Sequence, residues 1–281
     1  MNLLDTLLVH FSLHAGVFYT GNICGRHDFE KDPMRGHLHV IKQGSVDLIG
    51  ITRRNFQITE PTLVFLPRPD HHRLMADSKA GAEVVCGTVF FDSGGGNPIT
   101  DSLPDVVLIR LTEIKGISEL LDLMLDEAFN QDDGKQAALD RLCEIVIIRL
   151  LRHCISNGLA AGGTLAGLSD SRISKALQAV HVEPAHPWTL EEMAQTAGMS
   201  RARFAVHFKS LTGTTPAHYV ASWRLMLAQK LMKKGLGLKH IAIDVGYGSS
   251  SALARAFSRN LGLTPMQWLH AHKNADSGHS I

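Results

Sequence analysis

Met193-Ala194-Gln195-Thr196-Ala197-Gly198-Met199-Ser200 is echoed about 49 residues later by Ile241-Ala242-Ile243-Asp244-Val245-Gly246-Tyr247-Gly248-Ser249. Each copy runs on to a Phe, a Gly and a Pro: Phe208, Gly213 and Pro216 in the first, Phe257, Gly262 and Pro265 in the second. The steps are 4 and 4 from Ala to Gly, 10 and 11 from Gly to Phe, 5 and 5 from Phe to Gly, and 3 and 3 from Gly to Pro. One inserted residue in the second turn accounts for the single mismatch. The Ala fits where two helices cross closely. The first Gly ends a helix and can take positive φ in a short turn. Ser200 or Ser249 can N-cap the following helix. Phe204 with Phe208, and Leu253 with Phe257, lie four apart and face a core. Helix, short Gly-containing turn and helix make a helix-turn-helix. A helix near Pro216–Lys233 joins the copies, which sets two second helices on successive major-groove turns, roughly 34 Å apart.

The outward residues of those second helices are the candidate DNA contacts. In the first copy they are Arg201, Ala202, Arg203, Ala205, Val206 and Lys209; in the second, Ser250, Ser251, Ala254, Arg255 and Ser258. Arg255 is the best base reader, because Arg pairs bidentately with guanine O6 and N7. Ala and Val can touch a thymine methyl, while Arg201, Arg203 and Lys209 suit phosphates equally well. For each, the plain alternative is an ordinary exposed helix residue. Charge agrees with a phosphate-rich partner: residues 168–281 hold 13 Lys and Arg against 6 Asp and Glu, and residues 1–167 hold 15 against 21. A solvated basic face would give the same count.

The longer stretch His240–Trp268, with Trp188-Thr189-Leu190-Glu191-Glu192-Met193-Ala194 and Gly198-Met199-Ser200 before it, resembles the signature of AraC/XylS-family transcription regulators. The resemblance covers about residues 170–272. It departs at Leu253, where many members have Phe, and at Ser258, where Lys is common. The first reading helix is small and apolar outward, so little hydrogen-bonded base readout is expected from it. The family usually carries a ligand-sensing domain, often a cupin barrel. The expected partners are double-stranded promoter or operator DNA, a second copy of the chain and RNA polymerase, in an activator. No membrane partner is expected: no apolar run approaches the roughly 20 residues of a span. Met1-Asn2-Leu3-Leu4-Asp5 lacks the features of a signal peptide, so a cytoplasmic protein is expected.

Residues 1–110 read as β-rich. Leu38–Ile41, Val46–Ile51, Leu63–Leu66 and Val84–Phe91 are short β-branched or aromatic segments. Turn signals bound them at Gln43-Gly44, Glu60-Pro61, Pro67–Asp70 and Ser93–Gly96. His37-Leu38-His39, Gly44, Pro67 and His71-His72 are similar to a degenerate pair of cupin motifs. Alternation in a strand points His37 and His39 together into a barrel and sends His71 and His72 opposite ways. Lys42, Gln43 and Gly44 stand where the usual cupin Glu would complete an oxygenase-type metal site. That weakens the alternative of a cupin-type metalloenzyme fused to a DNA-binding domain.

The four cysteines are Cys24, Cys86, Cys143 and Cys154, with no C-x-x-C pair and no disulfide framework. The arrangement resembles a cupin-type subgroup that pairs a Cys and a His from each half of the barrel. On that resemblance Cys24, His39, His72 and Cys86 could hold zinc in a tetrahedral Cys2His2 site. The two thiols could equally form an oxidation sensor, the barrel could hold an organic ligand, or the cysteines could be small buried hydrophobes. Cys143 and Cys154 share a helical face with Leu142 and Leu150 and read as packing residues.

Ile117–Phe129 and Ala137–Ile155 repeat apolar residues at helical spacing. Asn157–Gly167 is small and Gly-rich and reads as a flexible linker. The expected fold is therefore multidomain. Residues 1–110 form a cupin-like sensor barrel, 111–156 a helical dimerisation segment and 157–167 a linker. Residues 168–281 form an all-α DNA-binding domain with two helix-turn-helix motifs.

Overall fold

A computed structural model of the chain describes residues 3–32, 34–51, 54–91, 97–130 and 132–277. Among them it separates residues 13–91 with 100–161, a β-rich unit, from residues 162–277 with 3–12 and 97–99, a helical unit. The turn expected at Ser93–Gly96 lies outside the described residues.

The β-rich unit is built from β1 (Leu13–Ile23), β2 (Gly25–Phe29), β3 (Gly36–Gly44), β4 (Val46–Ile51), β5 (Arg54–Ile58), β6 (Thr62–Leu66), β7 (His72–Ala76), β8 (Ala82–Phe91) and β9 (Val107–Arg110). One sheet has the order β1-β8-β3-β6-β9 and the other β2-β7-β4-β5. Inward residues alternate along each strand. Ile41, Val64, Leu66, Val84 and Cys86 from the first sheet meet Val46, Leu48, Ile58 and Leu74 from the second. Two helices follow, α2 (Ile117–Phe129) and α3 (Lys135–Ser156), matching the periodicity of the sequence. The outer face of the first sheet is covered by α3: an added Cβ at Gly87 would sit 3.3 Å from Cys143 Sγ. Both faces of β3 and β8 are thus buried, which explains their nearly unbroken apolar runs. Cys143 and Cys154 are fully buried on α3.

The helical unit contains α4 (Gly163–Ser169), α5 (Ile173–Val182), α6 (Leu190–Thr196), α7 (Arg201–Thr212), α8 (Pro216–Lys233), α9 (Leu238–Asp244), α10 (Ser250–Leu261) and α11 (Pro265–Ser277). Two expectations need correcting here. The stretch read as a flexible linker folds partly as α4, with Thr164, Leu165, Ala166 and Gly167 buried. Its small residues permit close packing rather than freedom: a Cβ on Gly167 would lie 2.6 Å from Leu177 Cδ1. The second correction concerns the start of the chain, expected in the barrel. Residues 3–10 form a helix, α1, which belongs to the helical unit. Leu4, Leu7 and Phe11 are buried at helical spacing, and His10 and Phe11 meet the Trp223 ring edge-on. Lys230 Nζ donates to the Val9 and His10 carbonyls at 2.8 and 2.9 Å, satisfying acceptors at the end of α1.

Candidate DNA-reading face and barrel-interior site

Each helix-turn-helix is held by caps that the sequence supplies. Thr189 and Glu192 form a reciprocal capping box at the start of α6. Ser249 caps α10 by accepting from the Ala252 amide at 3.1 Å, whereas Ser200 sits at the N-cap of α7 without a side-chain bond. The turn glycines Gly198 and Gly246 have φ of +62° and +85°, as the spacing demanded. Phe204 and Phe208 on α7, and Leu253 and Phe257 on α10, are completely buried. Each such burial contributes about 1.5–3 kcal/mol to the core that aims the opposite face outward.

On α7 that opposite face exposes Arg201, Ala202, Arg203, Val206 and Lys209, with Ala205 half-buried. On α10 it exposes Ser251 and Arg255, with Ser250, Ala254 and Ser258 half-buried. Arg201 also lies 3.7 Å from Glu191, an exposed and weak pair. Sequence reasoning missed a concavity of about 630 Å³ beside α7, lined by Asp170, Arg172, Arg203, His207 and Ser210 among others. There His207 Nε2 lies 2.7 Å from Asp170 Oδ2, while Asp170 Oδ1 accepts from the Arg172 and Ile173 amides. That pairing joins residues 37 positions apart, so no local signal announced it.

Inside the barrel, His37 and His39 point to the same side of β3, and His72 reaches them from β7 while His71 is exposed. His39 lies opposite Cys86 in the β3–β8 register. His39 Nδ1 is 3.0 Å from Cys86 Sγ, and His39 Nε2 is 2.7 Å from His72 Nε2. His72 Nδ1 is 3.2 Å from the Asp70 carbonyl oxygen. The protons follow from the end of this chain. A carbonyl only accepts, so His72 Nδ1 carries a hydrogen and, in the neutral ring, His72 Nε2 accepts. His39 Nε2 must then donate, His39 Nδ1 accepts, and the Cys86 thiol donates to it. Phe29 of β2 closes the site, stacked on His72 at 5.0 Å between ring centroids.

Burial keeps every member of this chain neutral. Burial first, then the charges His72 and His37 would carry, hold His39 well below the ordinary histidine value. Burial and then His37 push His72 down to about 4, against the Asp70 carbonyl bond, which raises it. Burial alone raises the Cys86 thiol to about 12.

The four residues expected to hold zinc do not converge. Cys24 is exposed at the junction of β1 and β2, with Asn22 Nδ2 3.7 Å from its sulfur. It follows Ile23, which pairs with Ala82, so it stands level with Gly81, five residues before Cys86 and about 16 Å from it at the rise of a strand. That separation also exceeds the Cα distance a disulfide can bridge. The other three residues touch, but His39 turns one nitrogen to Cys86 and the other to His72, so in this arrangement the three do not face a common point. Among the described residues no group of three or more His, Cys, Asp or Glu is arranged to hold a metal ion. Where the cupin Glu is absent, Lys42 instead reaches out to Asp122 at 3.1 Å.

Comparison with known proteins agrees with both halves. A Cupin family model matches residues 2–156, and a helix-turn-helix domain model matches residues 193–271. An uncharacterized HTH-type transcriptional regulator of Haemophilus influenzae is 28% identical over 85% of this chain and 87% of its own length. The RCS-specific HTH-type transcriptional activator RclR of Escherichia coli is 29% identical, covering 82% of each chain. Among solved structures, fatty-acid-bound ToxT of Vibrio cholerae aligns over 92% of this chain and 94% of its own, at 16% identity and a TM-score of 0.41. Among the described residues no helix is long and apolar enough to cross a membrane. Both relatives are named as transcriptional regulators. With two helix-turn-helix repeats behind a cupin domain, the chain belongs to the AraC family of DNA-binding transcription regulators.

Proposed function

We propose that this regulator works in the cytoplasm as an activator, bound to promoter or operator DNA as a homodimer and in contact with RNA polymerase. Its barrel reads a two-electron oxidant at Cys86. The observation that carries the sensing role is the directed chain from Cys86 through His39 and His72 to the Asp70 carbonyl. At rest the thiol is protonated and quiet. As its sulfur attacks a peroxide oxygen, the thiol proton passes to His39 Nδ1, and His39 hands its Nε2 proton to His72. The sulfur loses two electrons, the O–O bond takes them and breaks, and the leaving hydroxide takes the proton back through the same chain, so that the products are a sulfenic acid and water and both histidines end neutral. The added oxygen overfills a closed interior. It displaces β8, whose next residue, Gly87, lies against Cys143 of α3. The Escherichia coli relative, named an RCS-specific activator, supports an effector of this kind.

The dimer contact is the outer face of α2 and α3. It exposes Leu123, Phe129 and Ile145 at 52, 69 and 42%. Glu119, Asp122 and Asp126 flank them on α2, and Arg141 and Arg152 on α3. A two-fold axis would set the acidic rim of one copy on the basic rim of the other. The sensing role is tested by treating the full chain with hydrogen peroxide or hypochlorite and mapping added oxygen by mass spectrometry. Binding to DNA upstream of the neighbouring operons is followed in parallel. Cys86→Ser should abolish the response and Cys24→Ser should leave it intact. A Cys86→Ser protein that responds like wild type would remove Cys86 from the mechanism.

A further inference from the structure

The two helix-turn-helix repeats meet at one side chain that no base-reading argument requires. Arg224, near the middle of α8, is half-buried. Its Nε donates to the Pro184 carbonyl at 2.7 Å and its Nη2 to the His186 carbonyl at 2.7 Å. Its Nη1 donates to the Gly246 carbonyl at 3.1 Å. Pro184 and His186 belong to the segment between α5 and α6, at the entrance to the first repeat. Gly246 is the turn glycine of the second. One planar guanidinium therefore grips both repeats, with the Tyr247 ring 5.8 Å from it.

The glycines confirm that the repeats are in contact here. A Cβ on Gly246 would lie 2.7 Å from both Ala185 Cα and Ala185 O, and 2.9 Å from Arg224 Cζ. At the equivalent Gly198 no atom comes within 4 Å of that position. Gly198 thus answers only to its left-handed turn, and Gly246 answers also to the first repeat pressed against it.

We infer that Arg224 is a positioning residue. It fixes the separation and angle between α7 and α10, and so the spacing between the two base tracts that one DNA-binding unit accepts. One base pair inserted between those tracts shifts the second by about 3.4 Å and turns it by roughly a tenth of a helical turn. A rigid pair of reading helices cannot follow that change, while a loosened pair can.

The test uses the full chain and a duplex that the wild-type protein enriches from a random-sequence library. Fluorescence anisotropy compares that duplex with versions carrying one base pair more or less between the two protected tracts. Wild type should lose on the order of 30-fold in affinity on either change, the cost of misplacing one reading helix. Arg224→Gln should bind the parent duplex about 10-fold more weakly, with its preference for the parent spacing reduced to within about threefold. Arg224→Lys, which can reach one carbonyl at a time, should fall between them. Gly246→Ala should lose the spacing preference, and Gly198→Ala should keep it although both glycines have positive φ. If Arg224→Gln does not fold by circular dichroism, the two glycine variants decide the matter. The inference is overturned by an Arg224→Gln protein that keeps the wild-type preference, by glycine variants that behave alike, or by a wild type indifferent to spacing.

Discussion

Replacing His181 tests how burial couples acidity to the stability of the DNA-binding unit. His181 is 2% exposed on α5. Its Nε2 lies 2.7 Å from the Tyr219 hydroxyl, and its ring stacks on Trp223 at 3.6 Å between centroids. Burial, and secondarily His10 of α1, push its pKa from 6.5 down to about 3. His10 is itself held low by burial and by Lys230 and Lys234, so it adds in the same direction. With the folded pKa below the unfolded one, the native state is at full strength above pH 6.5. As pH falls below that value the unfolded chain takes up a proton that the native chain refuses, and stability drops until about pH 3. Each pH unit costs about 1.4 kcal/mol, so two units, to pH 4.5, remove about 3 kcal/mol. That is a large part of the 5–15 kcal/mol that holds a domain together. Trp188, Trp223 and Trp268 all lie in the helical unit, so tryptophan fluorescence during urea unfolding of the full chain reports on that unit alone. His181→Phe keeps the stack and gives up the Tyr219 bond, at about 1–3 kcal/mol at pH 7. It should then fall less steeply than wild type between pH 7 and 4.5. Parallel losses in the two proteins would show that His181 does not titrate as its burial requires.

The exposed faces carry three more expected outcomes. Arg255→Ala should cost about 1–3 kcal/mol of specific binding and relax the preference at one base pair, measured by anisotropy over a panel of single-site variants. Lys209→Ala should instead weaken all sequences alike and lower the salt slope by about one. Ile145→Asp, at the centre of the α2–α3 face, should yield a monomer by light scattering at micromolar concentration without loss of secondary structure. A wild type already monomeric there would remove the dimer.

The DNA-reading half was legible because its signals are local. Turn glycines, capping residues and apolar pairs four apart lie within a dozen residues of one another, and each acts on its own helix. The barrel was legible as a type of structure for the same reason, since alternation along β3 alone puts His37 and His39 on one side. Register was not legible. Whether Cys24 meets Cys86 depends on how β1 slides along β8, and the observed pairing of Ile23 with Ala82 puts them five steps apart. Nor can sequence tell a glycine that loosens the chain from one that lets two helices touch, which is why α4 read as a linker. The same ambiguity hid the difference between Gly198 and Gly246, identical in spacing and in sign of φ but unlike in surroundings.

That difference bears on how the two repeats divide the reading of DNA. The first presents Ala202, Ala205 and Val206, the last 73% exposed, with no hydrogen-bonding capacity at those positions. Such a face can meet thymine methyls or the shape of the groove, and discriminates weakly on its own. The second presents Arg255 with Ser250 and Ser251 and can demand particular base edges. A weak reader adds most when it is held at a fixed distance from a strong one, because the strong contact then chooses the place where the weak one must fit. The guanidinium of Arg224, gripping Pro184, His186 and Gly246 together, supplies that fixed distance. Selectivity in this protein is therefore expected to lie as much in the spacing of its two tracts as in the bases within either.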